Sequence, residues 1–169
     1  KRCALFFFYS LRSDDIVSVV QFDNRVEVLC PPQQKGDGKA VGEAIARIYD
    51  GGNTDLHGGW RAGADGLAAI DATTGLRRVI LLSDGCANHG TIDPVDIAMQ
   101  CEVLAATGVT TSTYGLGNGF NEELMVAMAT SGQGNHWYGD TADDLMEPFQ
   151  TEFDLLANLC LKDLKLKPE

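Results

Sequence analysis

The stretch RRVILLSDGCANHG, residues 77–90, joins an apolar run to a polar turn that contains glycine. The run at 77–82 is short and rich in branched apolar residues, which is typical of a central strand buried on both faces of a parallel sheet. Ser83, Asp84 and Gly85 follow at its carboxyl end. Open α/β sheets bind ligands at the carboxyl ends of their strands. The stretch therefore predicts a parallel sheet and also which edge of that sheet carries the function.

Strand and helix patterns alternate along the rest of the chain. IVSVVQF at 16–22 is typical of a buried strand, and the Asp-Asn turn after it predicts a hairpin to RVEVL at 25–29, before a loop that begins at Pro31. This order predicts an α/β fold with a mostly parallel, doubly wound (Rossmann-like) sheet, one antiparallel edge strand and helices on both faces. Further strands are predicted at 109–114 and 136–138, and helices at 2–11, 39–49, 56–70, 94–107, 121–130 and 141–159.

Both ends of the sequence interrupt this alternation. The first helical pattern has no strand before it, although an alternating fold requires one. The last residues, CLKDLKLKPE, alternate like the beginning of another strand. We therefore expect one domain at 1–159 that is incomplete at its amino end, and the start of a following strand or domain at 160–169.

Composition argues against several classes of partner. The net charge is −11 and the isoelectric point is about 4.5, which disfavours binding to nucleic acid or to an anionic membrane. No apolar run approaches the roughly 18 residues that a membrane span needs. The five cysteines are odd in number and form no Cys-x-x-Cys pair. That pattern favours reduced, mostly buried thiols and a cytoplasmic location.

A second polar turn precedes a predicted helix. GGNTDLHGGW, residues 51–60, supplies an amide, a hydroxyl and a carboxylate where helix capping needs only one such group. Thr54 or Asp55 could simply cap the helix, and Asp84 could simply belong to a tight turn. However, hydroxyl and carboxylate oxygens from separate loops are hard ligands that suit Mg²⁺. The presence of both turns favours Thr54 and Asp84 as metal ligands.

Four stretches together resemble the von Willebrand factor type A domain, in a style more bacterial than animal. In that family, three loops build a metal-ion-dependent adhesion site (MIDAS). The resemblance implies that Thr54 belongs to the second loop and Asp84 to the third, with Mg²⁺ as the metal and Mn²⁺ or Ca²⁺ as alternatives. It also implies a protein partner whose acidic residue completes the coordination. The stretches are DDIVSVVQFD (14–23), GGNTDLHGGW (51–60), RRVILLSDGCANHG (77–90) and YGLGNGFNEELMVAMA (114–129).

The first loop of the family's site, Asp-x-Ser-x-Ser, does not occur in this sequence. By the family's pattern it belongs just before Lys1, with the strand that the alternation lacks, so we expect it upstream in the parent protein. One alternative is a structural module whose site is degenerate and holds no metal. Another, less favoured, is the metal-binding domain of a larger enzyme.

Other candidate residues have simpler interpretations. Asp55 is interpreted as a helix cap, and His89, although close to Asp84 in sequence, as an exposed loop residue. GLGNGF at 115–120 lacks the third glycine of a dinucleotide fingerprint. No nucleophile elbow or activated cysteine is present, so we predict no catalytic residues and no enzyme activity. Four large side chains at helical spacings are predicted to lie in the core: Trp60, Met99, Met125 and Met128.

Overall fold

The computed structural model describes residues 2–49, 51–71, 75–85 and 87–158, without the side chain of Cys3. The following strand or domain expected to begin at 160 lies outside these residues. Within them the elements follow the predicted order: α1 (Arg2–Ser10), β1 (Ile16–Phe22), β2 (Val26–Gln34), α2 (Lys39–Arg47), α3 (Leu56–Ala68), β3 (Arg77–Ser83), α4 (Pro94–Ala106), β4 (Val109–Leu116), α5 (Glu122–Ser131), β5 (His136–Gly139) and α6 (Met146–Ala157).

The strands of the described residues form two hydrogen-bonded sheets. β1 and β2 pair antiparallel, as the hairpin signal predicts, and β3, β4 and β5 form a parallel sheet in that order. Helices cover both faces, which confirms the predicted α/β class. Among the described residues, β1 and β3 therefore each have one edge without a strand partner.

Helix α3 connects the two sheets, because it packs against β1, β2 and β3. Its glycines permit this close approach. A Cβ atom at Gly59 would lie 2.3 Å from the ring of Phe22 on β1, and one at Gly66 would lie 3.2 Å from Pro32 on β2. Glycine at these positions therefore lets α3 pack closely on both β1 and β2.

Strand β1 is less buried than its sequence predicts. Its apolar run is typical of a strand with both faces covered, yet only Gln21 is buried and Ile16 is 38% exposed. The physical reason is the unpaired edge of β1, where the described residues place no neighbouring strand.

Strand β2 runs through two prolines that were expected to begin a loop. Val17 pairs with Gln33, but Val19 pairs with Cys30, so the register shifts beside residues 31–32. An irregularity of this kind on an edge strand tolerates prolines, because no ladder hydrogen bond needs their missing N–H groups.

Helix α6 begins later than predicted, at Met146 rather than at 141. The Asp144 carboxylate accepts hydrogen bonds from both the backbone N–H and the hydroxyl of Thr141, each at 2.8 Å. These bonds form a turn and lower the pKa of Asp144. Glu147 is the acid that lies in the first turn of the helix as it is formed.

Apolar side chains cover both faces of the parallel sheet. On one face, Tyr114 and Phe149 stack with their ring centroids 4.1 Å apart, beneath α1 and α6. On the other face, α3, α4 and α5 pack on the sheet, and burial raises the pKa of the Cys101 thiol to about 12. Trp60, Met125 and Met128 belong to this second cluster, as predicted.

The prediction of a core position is wrong for Met99. Its side chain is 56% exposed, because it lies on the outer face of α4, whereas Ile97 and Cys101 on the inner face are fully buried. Its apolar character gave no indication of which face it would occupy.

A buried polar cluster fastens α6 to the parallel sheet. The fully buried Glu152 accepts hydrogen bonds from the Ser112 hydroxyl at 2.6 Å and from the Asn135 side-chain amide at 2.7 Å. The Arg78 guanidinium lies 3.4 Å from the same carboxylate. Burial lowers the pKa of Arg78, while the charge of Glu152 opposes that shift.

Among the residues that the structure describes, no helix is both long and apolar enough to cross a bilayer.

Candidate functional site

Thr54 and Asp84 lie on two loops that the fold brings together at the carboxyl edge of the parallel sheet. Asp84 directly follows β3, and Thr54 precedes α3. Asn88 joins the loops, since its side-chain oxygen accepts from the Thr54 N–H at 2.9 Å and its own N–H donates to the Thr54 carbonyl at 3.2 Å. The loop that contains Thr54 is thus fixed against the loop that contains Asp84.

Gly85 allows the two loops to approach closely. A Cβ atom built there would lie 2.9 Å from Thr54 Oγ1, so any side chain would displace the threonine hydroxyl. Thr54 is half-buried and Asp84 is exposed. In the described part of the chain, neither the Thr54 hydroxyl nor the Asp84 carboxylate has a hydrogen-bond partner. Both oxygen-bearing groups are therefore free to bind a ligand.

Asp55 caps α3, as its interpretation from sequence requires. Its Oδ1 accepts from the Gly58 N–H at 2.9 Å. Its other oxygen lies 3.8 Å from Nδ1 of His89, whose side chain is 52% exposed. His89 is thus an exposed loop residue beside the cap.

Asp23 holds the loop that contains Thr54 in place, a role that its position in a predicted turn does not indicate. It is buried at the end of β1, and its carbonyl accepts from the Asp55 N–H at 2.7 Å. Gly51 crosses directly over it, since a Cβ there would lie 2.1 Å from Asp23 Cβ. The end of β1 and the loop before α3 are therefore packed as one unit.

The loop after β4 reaches the same edge. A Cβ at Gly119 would lie 3.0 Å from the backbone oxygen of Asp84, and Gly117 has a φ of 70°, which favours glycine. The Phe120 ring packs against Tyr138, with centroids 5.5 Å apart. The Tyr138 hydroxyl is also hydrogen-bonded to Asn118 at 2.9 Å. These glycines form a tight loop beside the candidate site.

The amino end of α1 lies at this edge as well. Arg2 forms a salt bridge of 2.7 Å with Asp143, which follows β5 in the chain. Because β5 is parallel to β3 and β4, its carboxyl end points toward the same edge. Helix amino termini carry a partial positive charge, so this edge combines free oxygen ligands with a helix start.

Thr54 and Asp84 fit a hard divalent cation as part of a ligand set. Mg²⁺ takes oxygen ligands and keeps several waters, so two protein oxygens can form part of such a set. Within the residues that the structure describes, no group of three or more His, Cys, Asp or Glu side chains is arranged to hold a metal ion. Further ligands would have to come from elsewhere.

The family model described as von Willebrand factor type A domain matches residues 2–152. The chain belongs to this family. Its α/β architecture and its polar loops at the carboxyl edge of the sheet agree with that membership. Von Willebrand factor type A domains commonly mediate protein interactions, can carry a MIDAS, and are generally interaction modules rather than enzymes.

Two curated relatives of this von Willebrand factor type A domain are bacterial. The uncharacterized protein YfbK of Escherichia coli K12 is 33% identical over 168 residues, and the uncharacterized protein sll0103 of Synechocystis is 29% identical over 170. The alignments cover 94% and 98% of this chain, but only 28% and 39% of those proteins. The chain therefore spans well under half the length of either relative.

A solved structure shares the fold. Proximal thread matrix protein 1 from the mussel byssus, in a form with a zinc-occupied MIDAS motif, superposes with a TM-score of 0.71 at 20% identity. The match covers 90% of this chain and 42% of the mussel protein. At this identity the likeness concerns the fold.

Proposed function

We propose that this von Willebrand factor type A domain binds protein partners through a Mg²⁺ ion at a MIDAS to which Thr54 and Asp84 contribute. The observation that carries the proposal is the joining of the two loops by Asn88, with Gly85 leaving room for the threonine hydroxyl. A free hydroxyl and a free carboxylate on adjoining loops supply oxygens suited to Mg²⁺, and also to Mn²⁺ or Ca²⁺.

The remaining ligands, on this proposal, come from an Asp-x-Ser-x-Ser loop on a strand that lies between β1 and β3. Both strands have an unpaired edge among the described residues, and both pack on α3. The apolar side chains of β1 are only half buried, which supports a further strand along its unpaired edge. A strand running parallel to β3 would end at the carboxyl edge, next to the start of α1 at Arg2.

The chain's own residues prepare this edge for a cation and an acidic partner. When bound, the metal would offer a coordination position to a carboxylate of the partner protein. Asp55 and the free Asp84 make the edge negative, and the chain as a whole carries a charge of −11. Without a cation, like charges would oppose an acidic partner. Binding of that partner should therefore require a divalent metal and stop when a chelator is added.

Isothermal titration calorimetry of the full-length protein with Mg²⁺ and Mn²⁺ tests the proposal. We expect saturable binding that Asp84→Ala abolishes and that Thr54→Val, which removes the hydroxyl but keeps the shape, weakens about tenfold or more. Asp96→Ala is the matched control, because it removes an exposed acid from α4.

The control separates a specific site from general attraction of cations to an acidic protein. Asp96→Ala should bind metal like the wild type. Equal loss in Asp96→Ala and Asp84→Ala, or no binding by the full-length protein, would contradict the proposed site. In the second case the structural module with a degenerate site becomes the better description.

A further inference from the structure

Helix α4 exposes a row of apolar side chains on the face that points away from the domain. Val95 is 74% exposed, Met99 56% and Val103 62%, and their spacing of four residues aligns them along the helix. Ile92, 54% exposed, lies just before the helix and continues the row. These four residues are named the outer stripe.

The inner face of α4 is equally apolar. α4 therefore has apolar residues on two faces, whereas a surface helix normally turns polar residues outward. The outer stripe therefore has the composition of an interface rather than of a solvated face. The buried inner residues are Ile97, Cys101, Leu104 and Ala105.

The charges beside the outer stripe are all negative. Asp96 and Glu102 lie three residues before and after Met99, which places them about 60° to either side of it around the helix. α5 packs beside α4 and exposes Glu122 and Glu123. Neither α4 nor α5 contains a Lys, Arg or His residue.

These acids have no internal counter-charge in the part of the chain that the structure describes. None of the four forms a salt bridge there. Two arginines come near α4. Arg61 of α3 donates to Gln100 at 3.3 Å but is paired with Asp65 at 2.9 Å, and Arg77, which donates to the Thr107 carbonyl at the end of α4, is buried. The acids beside the stripe are thus available to a basic partner.

We propose that the outer stripe binds a basic amphipathic helix of a partner protein. The apolar face of that helix would cover Val95, Met99 and Val103, and flanking Lys or Arg residues would pair with Asp96 and Glu102. The distance from Val95 to Val103 along α4 is about 12 Å, which matches apolar anchors spaced i, i+4 and i+7 or i+8 on a partner helix. A second copy of the chain fits poorly, because its stripe carries the same negative charges.

This interaction is independent of the proposed metal site. Val95, Met99 and Val103 lie on α4 itself, outside the loops that carry Thr54 and Asp84, and Ile92 lies eight residues after Asp84, at the helix end of its loop. A chelator should therefore leave it intact.

Fluorescence anisotropy with labelled model peptides tests the inference on the full-length protein in the presence of chelator. The probe is an amphipathic Leu/Lys peptide of about 18 residues with helical spacing of its leucines. A scrambled Leu/Lys peptide and a Leu/Glu peptide of the same pattern are its controls. We expect saturable binding of the patterned Leu/Lys peptide, and binding at least about tenfold weaker for either control peptide.

Matched variants locate the binding. Met99→Gln combined with Val103→Gln should weaken binding of the patterned Leu/Lys peptide about tenfold. Asp96→Asn combined with Glu102→Gln should reduce both the affinity for that peptide and the dependence of the affinity on salt. Leu155→Gln, which changes a 55% exposed leucine on α6, should have no effect. All substitutions are at exposed positions, and unfolding curves by circular dichroism check that each variant is folded.

Three results would overturn the inference. The first is equal affinity for the scrambled peptide, which would indicate general attraction to an acidic protein. The second is unchanged peptide binding by the Met99→Gln, Val103→Gln variant. The third is a wild-type dimer in sedimentation experiments that the same variant abolishes, which would make a second copy the occupant.

Discussion

At the scale of single residues, His136 is held in its neutral form by its surroundings. The Thr113 hydroxyl donates to the Met125 carbonyl at 2.9 Å, so it can only accept from His136 Nδ1, also at 2.9 Å. The other ring nitrogen is buried and has no partner among the described residues. Protonation there would bury an N–H group without an acceptor, and burial accordingly lowers the pKa of His136, against a smaller opposing effect of Glu122.

This arrangement predicts how stability depends on pH. Because the pKa of His136 is lower in the folded state than the ordinary 6.5, the unfolded chain binds the proton first as the pH falls. The free energy of unfolding should therefore decrease as the pH falls from 6.5 toward the folded pKa. Urea unfolding at several pH values should show this decrease in the wild type and a smaller one in His136→Gln.

His89→Gln is the control for this experiment, because its ring is about half exposed. The decrease should persist in that variant. If His136→Gln and the wild type lose stability in parallel, then another group is responsible for the acid sensitivity.

Sequence patterns predicted the local role of individual residues better than their distant contacts. The role of Asp55 as a helix cap follows from its position just before a helical pattern, and the structure agrees. The contact of Asn88 with Thr54 joins segments 34 residues apart, and no local pattern contains that information. Met99 shows the same limit, since helical spacing gives a periodicity but does not state which face is covered.

At the scale of elements, the capping residues and the apolar runs identified most helices and strands. The Asp93 side chain accepts from the Val95 N–H at 2.8 Å and that of Asn121 from the Leu124 N–H at 3.1 Å, so each caps a helix that the sequence predicts. The late start of α6 was not predicted, because the hydrogen bonds from Thr141 to Asp144 form a turn that competes with helix formation. A helical pattern in the sequence does not reveal that competition.

The buried carboxylate of Glu152 makes α6 depend on a polar contact as well as on apolar packing. Glu152→Ala removes the partner of the partly buried Arg78 and leaves its charge uncompensated. We expect a loss of about 3 kcal/mol in the free energy of unfolding, measured with urea.

Two further variants give this prediction its controls. Glu147→Ala, one turn earlier on the exposed side of α6, should change stability by less than about 0.5 kcal/mol. Combining Glu152→Leu with Arg78→Met removes both charges and should restore much of the loss. A double variant as unstable as Glu152→Ala would show that the charges are not the cause.

At the scale of the whole molecule, the alternation of elements predicted the fold class, but it did not predict the division of the strands into two sheets. Hydrogen bonds to a neighbouring strand are a property of the assembled sheet. The sequence of β1 has the apolar character of a central strand, whereas among the described residues it is paired on one edge only. That mismatch between composition and environment is what supports an additional strand between β1 and β3.

Hydrogen exchange measured by mass spectrometry on the full-length protein tests that arrangement independently of metal. With a strand between them, the amides of 16–22 and 77–83 should be protected to about the same extent as those of 109–116, which lie in the middle strand of the parallel sheet. The terminal strand β5 is an internal reference for an edge. Exchange in 16–22 that is as fast as in β5 would contradict the additional strand.

The buried thiol of Cys101 gives a chemical measure of how often the domain opens. Its side chain is fully buried on the inner face of α4, and burial raises its pKa to about 12, so almost no reactive thiolate exists at neutral pH. Alkylating reagents and oxidants reach this sulfur when the packing around it opens. The rate at which it is modified therefore reports how often the centre of the domain opens.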